Sequence, residues 1–230
     1  MDCYITGTDT GAGKTWTTCA TLRALAARGL RAAAQKPVAA GTEIRNGREV
    51  NEDVCALAAH ANVTLSSEVL NPYLFKAPTA PHVAAALEGR EIDFNVIASR
   101  FRQAQPVTDV LLVEGVGGWC LPFGPDGSQR DLVARLNLPV ILVAGIRLGA
   151  LNHTLLTTRA IEADGATLIG WVANIVDPAY AFADATVEAL AERIGAPCFG
   201  TVPWETTRSA EVPTAIDRMA QLLAAPRSTT

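Results

Sequence analysis

Gly7-Thr8-Asp9-Thr10-Gly11-Ala12-Gly13-Lys14-Thr15 follows a strand pattern, Cys3 to Gly7, and opens a helical pattern running from Lys14 to Arg28, where Gly29 stops it. A glycine-rich segment between strand and helix is suited to phosphate. Gly11 and Gly13 let the backbone curl with its N–H groups inward, and the helix N-terminus adds positive potential. Lys14 is placed to reach β and γ phosphates, and the Thr15 hydroxyl to meet Mg²⁺. The spacing departs from the usual pattern, because the residue five before Gly13 is Thr8 and Gly7 lies one further back.

Outward from this loop, short apolar runs alternate with longer helical patterns, the signature of βαβ units on a parallel sheet. Strands are expected at 31–35, 109–113, 139–144, 167–173 and 198–202. Helices are expected at 51–61, 94–105, 151–163, 183–194 and 214–224. Asp109 to Val113 and Pro139 to Ala144 read as central strands buried on both faces. The stretch Asn71 to Pro81, with three prolines and two aromatics, reads as an irregular surface loop. No break, repeat or low-complexity linker divides the series. The fold class is therefore α/β, a three-layer sandwich of the P-loop NTPase type with a mostly parallel central sheet and helices on both faces, in one domain over 1–230.

Composition narrows the function. Of 230 residues, 49% are hydrophobic and 18% charged, and formal net charge is −4 with no basic run, which disfavours a nucleic-acid or anionic-membrane surface. The five cysteines are far apart and form no C-x-x-C pair, as suits a reducing cytosol. No basic region precedes an apolar run near Met1, and no apolar run approaches the length of a membrane span. A cytoplasmic protein is expected.

Magnesium retains waters and takes one or two carboxylates. Glu114, at the end of the 109–113 strand, stands where such an acid lies on the ligand-binding edge of an open α/β sheet. Asp53 begins a helix, and from the residues alone it reads as a cap or a complement to the helix dipole. Lysine is scarce, with Lys14, Lys36 and Lys76 against sixteen arginines. Lys36 ends the second strand, read as the neighbour of the first; a strand-end lysine is commonly a solvated charge. Its place on the ligand edge and the compactness of an ammonium between two anions favour function. Lys76 receives no role.

These residues belong to a longer series of motifs: T-G-T-D-T-x-x-G-K-T at 6–15, K-P-V-A at 36–39, N-P-Y-x-F at 71–75 and A-P-x-x-P-H at 77–82. V-E-G-x-G-G-W at 113–119, L-P-V-I-L-V at 138–143, L-G-x-x-N-H at 148–153, G-W-V-A-N at 170–174 and P-W at 203–204 complete it. In this order they resemble the dethiobiotin synthetases, ATP-dependent enzymes that close a ureido ring. The family's loop is one residue longer than the common phosphate loop, which accounts for the spacing.

The resemblance implies a substrate, 7,8-diaminononanoate, that takes up CO₂ as a carbamate, is phosphorylated by ATP and closes to a cyclic urea. Lys36 would hold the carbamate and the transferring phosphoryl group, with Lys14 and Thr10 as the other catalytic candidates. Thr15, Asp53 and Glu114 would hold Mg²⁺. Gly11, Ala12, Gly13, Trp16, Gly115, Val116 and Gly117 would line the nucleotide. Asn174 would read adenine, beside Pro203, Trp204 and Glu205. Thr10, Ala40 and Thr42 would touch the diamine. Family members are homodimers, so Gly149-Ala150-Leu151-Asn152 of a neighbouring subunit would hold the substrate carboxylate at a helix N-terminus. Two departures bear on substrate affinity. Ala40-Gly41-Thr42 stands where Ser commonly precedes the glycine, and Gly11 where Glu often occurs. His82 and His153 match motifs but read as packing or hydrogen-bonding groups. The competing reading is a regulatory ATPase of the partition and septum-positioning type; those carry an extra lysine before the loop glycines, and Thr8-Asp9-Thr10 has none. Amidotransferase-linked corrinoid synthases need a fused glutaminase that 230 residues do not hold.

Overall fold

The computed structural model describes residues 1–124, 127–204 and 213–225. The first part of the chain forms β1 (Cys3–Gly7), α1 (Lys14–Ala27), β2 (Ala32–Gln35), β3 (Val38–Ala40), β4 (Glu43–Arg45), β5 (Arg48–Val50) and α2 (Glu52–His60). Next come α3 (Ser67–Leu70), β6 (Tyr73–Phe75), α4 (Pro81–Leu87), α5 (Phe94–Ala104), β7 (Val110–Gly118), β8 (Pro122–Gly124) and β9 (Gly127–Ser128). The chain continues through α6 (Gln129–Leu136), β10 (Val140–Ile146), α7 (Ala150–Ala163), β11 (Leu168–Ile175), α8 (Ala183–Ala191), β12 (Cys198–Val202) and α9 (Thr214–Leu223).

Six strands form one sheet in the order β12-β11-β10-β1-β7-β2, and every pairing in it is parallel. Period-two alternation sends successive side chains to opposite faces. Cys3, Ile5, Ile141, Val143 and Val172 face a layer that includes α1 and α9. Tyr4, Leu111, Val113 and Val140 face α5 and α6, while Leu142, Ala144, Trp171 and Ala173 face α7 and α8. Burial on both sides makes these strands almost continuously apolar, as a parallel sheet requires. The three-layer expectation therefore holds, with β1 near the middle and the chain passing to either side of it.

Several details differ from the sequence reading. β1 is flanked by β7 and β10, so β2 with Lys36 at its end neighbours β7 and not β1. β7 does not stop at Val113; it runs through Glu114 to Gly118, so the acid lies inside a strand. The glycines after Glu114 form a bulge: Ile5 pairs with Glu114 and Gly7 with Gly118. The stretch Asn71 to Pro81 contains β6, which pairs with β3, and its Tyr73 and Phe75 enter the core. Its last proline occupies the first turn of α4, where a missing N–H costs nothing. Helices α4 and α6 are short and escaped periodicity.

Asp93 caps α5 by accepting a hydrogen bond from the Asn95 N–H at 2.7 Å. Replacing Asp93 with Ala removes an N-cap bond, an expected loss of about 1 kcal/mol. The melting temperature, read by calorimetry, should fall by roughly 2–4 °C for a chain of this size.

Candidate active site

The loop after β1 is tied twice to the neighbouring strand β10. The Thr8 N–H donates to the Val143 carbonyl at 3.1 Å, and Thr8 Oγ1 accepts from the Gly145 N–H at 3.2 Å. Gly13 forms the N-cap of α1 with φ +92°, and no side chain caps the helix. That leaves N–H groups of the first turn available to an anion. A Cβ on Gly13 would lie 2.0 Å from Asn174 Nδ2, so both the backbone angle and the space require glycine. Asn174, in β11, donates from Nδ2 to the Ala12 carbonyl at 2.9 Å, while its buried Oδ1 has no partner.

Lys14 and Lys36 are both buried, yet their surroundings differ. Lys14 Nζ donates to two carbonyls, Asp9 O at 3.0 Å and Gly117 O at 2.7 Å. Lys36 Nζ bonds Glu114 Oε1 at 2.7 Å and Asp53 Oδ2 at 3.0 Å, with the Gly115 carbonyl at 3.4 Å. Thr15 Oγ1 lies 2.8 Å from Asp53 Oδ1 and 2.8 Å from Glu114 Oε1, and its single proton serves one of them at a time. Asp53 is not the cap of α2; that bond belongs to Asn51, whose side chain accepts from the Val54 N–H. Asp53 is thereby free to face Thr15 and Lys36.

Electrostatics follow from these partners. Burial, helped by the nearby Lys36 charge, lowers the Lys14 ammonium to about 8 despite the opposing pull of Glu114, Asp53 and Asp9. Burial also works against the Lys36 ammonium, but Glu114 and Asp53 outweigh it and hold Lys36 above its ordinary range. Asp53 is held below the usual carboxylate range, because Lys36 and Thr15 overcome its desolvation.

The oxygen donors suit a small hard cation. Thr15 Oγ1, Asp53 Oδ1 and Glu114 Oε1 converge, and Glu114 Oε2 is buried without a partner. Two carboxylates and a hydroxyl match an ion that draws its other ligands from water and nucleotide phosphates. Among the described residues no group of three or more His, Cys, Asp or Glu could form a self-sufficient metal cage.

Comparison with known proteins bears on the family and the fold. A family model described as an AAA domain matches residues 2–212. The ATP-dependent dethiobiotin synthetase BioD of Aromatoleum aromaticum is 48% identical over 200 residues, covering 87% of this chain and 89% of that protein. The chain belongs to the dethiobiotin synthetase family. Solved structures share the fold at low identity. A chain of the MinC:MinD cell division protein complex from Aquifex aeolicus aligns with TM-score 0.58 at 14% identity, covering all of this chain and 98% of that one. The septum site-determining protein MinD from Pyrococcus horikoshii, solved with Mg-ADP, aligns with TM-score 0.55 at 15% identity and 96% coverage of each. At such identities the likeness concerns the fold alone.

The residues that the family resemblance singles out divide into two groups. Lys14, Thr15, Lys36, Asp53, Glu114, Gly115 and Gly117 are joined by the bonds above. Thr10 borders the same place, for a Cβ on Gly117 would lie 3.7 Å from its Oγ1. Gly11 is exposed at φ +75°, Ala12 is buried under Asn174, and Trp16 packs half-buried against the core. The Val116 N–H points to the side chain of Gln129. Pro203 and Trp204 follow β12, whose Val202 is in register with Asn174, and Glu205 lies outside the described residues. Ala40 ends β3 opposite Phe75, and the Thr42 N–H donates to the Lys76 carbonyl. Gly149 caps α7, with Ala150, Leu151 and Asn152 in its first turn. None of these bonds joins that turn to the lysines, although Arg147 beside it pairs with Asp9 of the loop at 3.2 Å. Lys76 is exposed and pairs with Glu49 at 2.9 Å. His82 lies on α4 and His153 on α7, away from these bonds.

Two outcomes follow for nucleotide binding. Gly13→Ala forces an L residue into the left-handed region, at roughly 1–2 kcal/mol, and displaces Asn174. Titration calorimetry should show ADP bound about tenfold more weakly, with unchanged far-UV circular dichroism. Phosphates supply the anionic partner that Lys14 lacks, so binding raises its proton affinity. Nucleotide affinity should therefore fall as pH rises through about 8, with proton uptake on binding, measurable in buffers of different ionisation heat.

Proposed function

We propose that this chain converts 7,8-diaminononanoate, CO₂ and ATP to dethiobiotin, ADP and phosphate. What carries the reading is a second buried ammonium, Lys36, set against Thr15, Asp53 and Glu114 at the mouth of a phosphate loop that already has its own lysine. A nucleotide switch needs the loop lysine; a ligase must also hold the anion that attacks.

One amine of the diamine adds to CO₂ and loses a proton, giving a carbamate. A carbamate oxygen attacks the γ phosphorus, and ADP departs. The second amine then attacks the carbonyl of the carbamic-phosphoric anhydride, expelling phosphate and closing the ring. Lys14 and the loop N–H groups hold the nucleotide phosphates. Lys36 exchanges its carboxylate bonds for the carbamate and the transferring phosphoryl group, and Thr10 touches the same group from the loop. Positioning and charge stabilisation are most of what phosphoryl transfer asks of a protein. Thr15, Asp53 and Glu114 would hold Mg²⁺, which when bound neutralises charge on the phosphates.

Asn174 fits an adenine-reading role, since its Oδ1 is a free buried acceptor beside the loop. Pro203 and Trp204 would flank the base. Ala40 and Thr42 would border the diamine. In a homodimer, the first turn of a partner's α7 would receive the substrate carboxylate; Leu148, Leu151 and Leu156 are exposed around that helix and would be covered by such a contact. Among the described residues no helix is long and apolar enough to cross a membrane, and a cytoplasmic site of action accords with the five free cysteines.

The test supplies diamine, bicarbonate and MgATP and looks by mass spectrometry for the cyclic urea. Phosphate release without diamine should be nearly nil, whereas the regulatory-ATPase alternative would hydrolyse regardless. Lys36→Gln should lower ring closure by a factor on the order of 10²–10³ or more, with ADP affinity changed by less than about threefold. Retained turnover in that variant would overturn the role given to Lys36.

A further inference from the structure

The bulge in β7 leaves a hydrogen-bonding question. From Ile5–Glu114 to Gly7–Gly118, β1 advances two residues while β7 advances four. Ladder partners are lost across the slip, and backbone groups near a core must find others. Gln129, the first residue of α6, is fully buried and supplies them. Its Oε1 accepts from the Val116 N–H at 2.9 Å, and its Nε2 donates to the Gly118 carbonyl at 3.1 Å and to Thr6 Oγ1 at 3.2 Å. Both donors of the carboxamide and its oxygen are engaged. The side chain thus stands in for a missing peptide unit, tying the bulge to β1. Gly115 makes room for it, since a Cβ there would lie 2.5 Å from Gln129 Oε1.

Between the two clamped residues lies Gly117, whose carbonyl receives Lys14 Nζ, and beside them Gly115, whose carbonyl faces Lys36 Nζ. We propose that Gln129 is a positioning residue for phosphoryl transfer, setting the bulge carbonyls on which the two lysine ammoniums rest. No motif of the chain contains it. Resting on the ring-closing reading above, the role concerns geometry: a loosened bulge moves the ammoniums relative to the phosphates, and small misplacements of such groups cost large factors in rate.

The experiment compares the full chain with Gln129→Met, which keeps length and loses every polar bond, and Gln129→Glu, which keeps the acceptor and loses the donors. Asp93→Ala, a cap variant whose bonds go to Asn95 and Tyr73 and to no residue of the site, gives the effect of lost stability alone. Gln129→Met should lower kcat by about tenfold to about a hundredfold and weaken ADP by about tenfold, with the diamine KM within about threefold. Gln129→Glu should fall between it and the parent, and Asp93→Ala should keep kcat within about twofold. The role is overturned if Gln129→Met keeps kcat within about twofold of the parent, or loses no more than Asp93→Ala does. It is overturned too if neither Gln129 variant folds, because the residue would then be structural. If the parent chain itself forms no cyclic urea, the ring-closing reading fails separately. ADP affinity then decides, and an unchanged affinity in Gln129→Met overturns the positioning role.

Discussion

Lys36 and Glu114 are both shut off from solvent and 2.7 Å apart, and neither could be buried without the other. Removing an ion from water costs several kcal/mol even after relaxation, and the attraction within a buried pair roughly offsets this. Such a pair contributes little net stability, and an apolar pair of similar volume would serve the core as well. Its arrangement depends on strand order. Gln35 is in register with Val113, so the next residue of each chain segment brings the ammonium beside the carboxylate. With β7 inserted between β1 and β2, the acid lies between the loop lysine and the strand-end lysine, within reach of Thr15.

The same strand order gives the two lysines opposite electrostatics. Lys36 has carboxylates for partners and is held protonated; Lys14 hydrogen-bonds only carbonyls and is lowered by burial. A buried ammonium that lacks a counter-ion gains most from an arriving anion. In the loop this ammonium rests on the carbonyls of Asp9 and Gly117, and a phosphate arriving there would supply the counter-charge. Glu114 and Asp53 pull on Lys14 too, but from beyond hydrogen-bond range, and desolvation wins.

Legibility in the sequence tracks how local the physics is. The loop, Lys14 and Thr15 could be read because phosphate binding needs residues contiguous along the chain. Glu114 could be read from its place near the end of an apolar run, although the strand that carries it is longer than the run. Lys36 stood out by the scarcity of lysine, but its neighbour was misjudged, because strand order is decided by packing between segments far apart. From residues alone Asp53 resembled a cap; that duty falls to Asn51, and only the motif resemblance drew attention to the acid. The prolines of 71–81 hid β6, whose aromatics are paid for by burial in the core. Gln129 carries no local signal at all: its partners, Val116, Gly118 and Thr6, come together only when the sheet has formed.

The fold by itself decides little, since septum-positioning proteins share it at 14–15% identity. What separates a ligase from a switch has to be found in side chains, and position 36 is the informative one. In a chain with sixteen arginines, the residue there is lysine. The pocket presents three acceptors to it, Glu114 Oε1, Asp53 Oδ2 and the Gly115 carbonyl, and an ammonium has three protons. A guanidinium would bring five N–H donors on a rigid plane into a space closed on one side by the bulge, leaving donors without acceptors and spreading the charge. Lys76, exposed and paired with Glu49, shows that lysine is also used where arginine would serve. At position 36 a compact, rotatable charge bonds two carboxylates at rest, and in the role proposed for it would turn to a carbamate and a phosphoryl group.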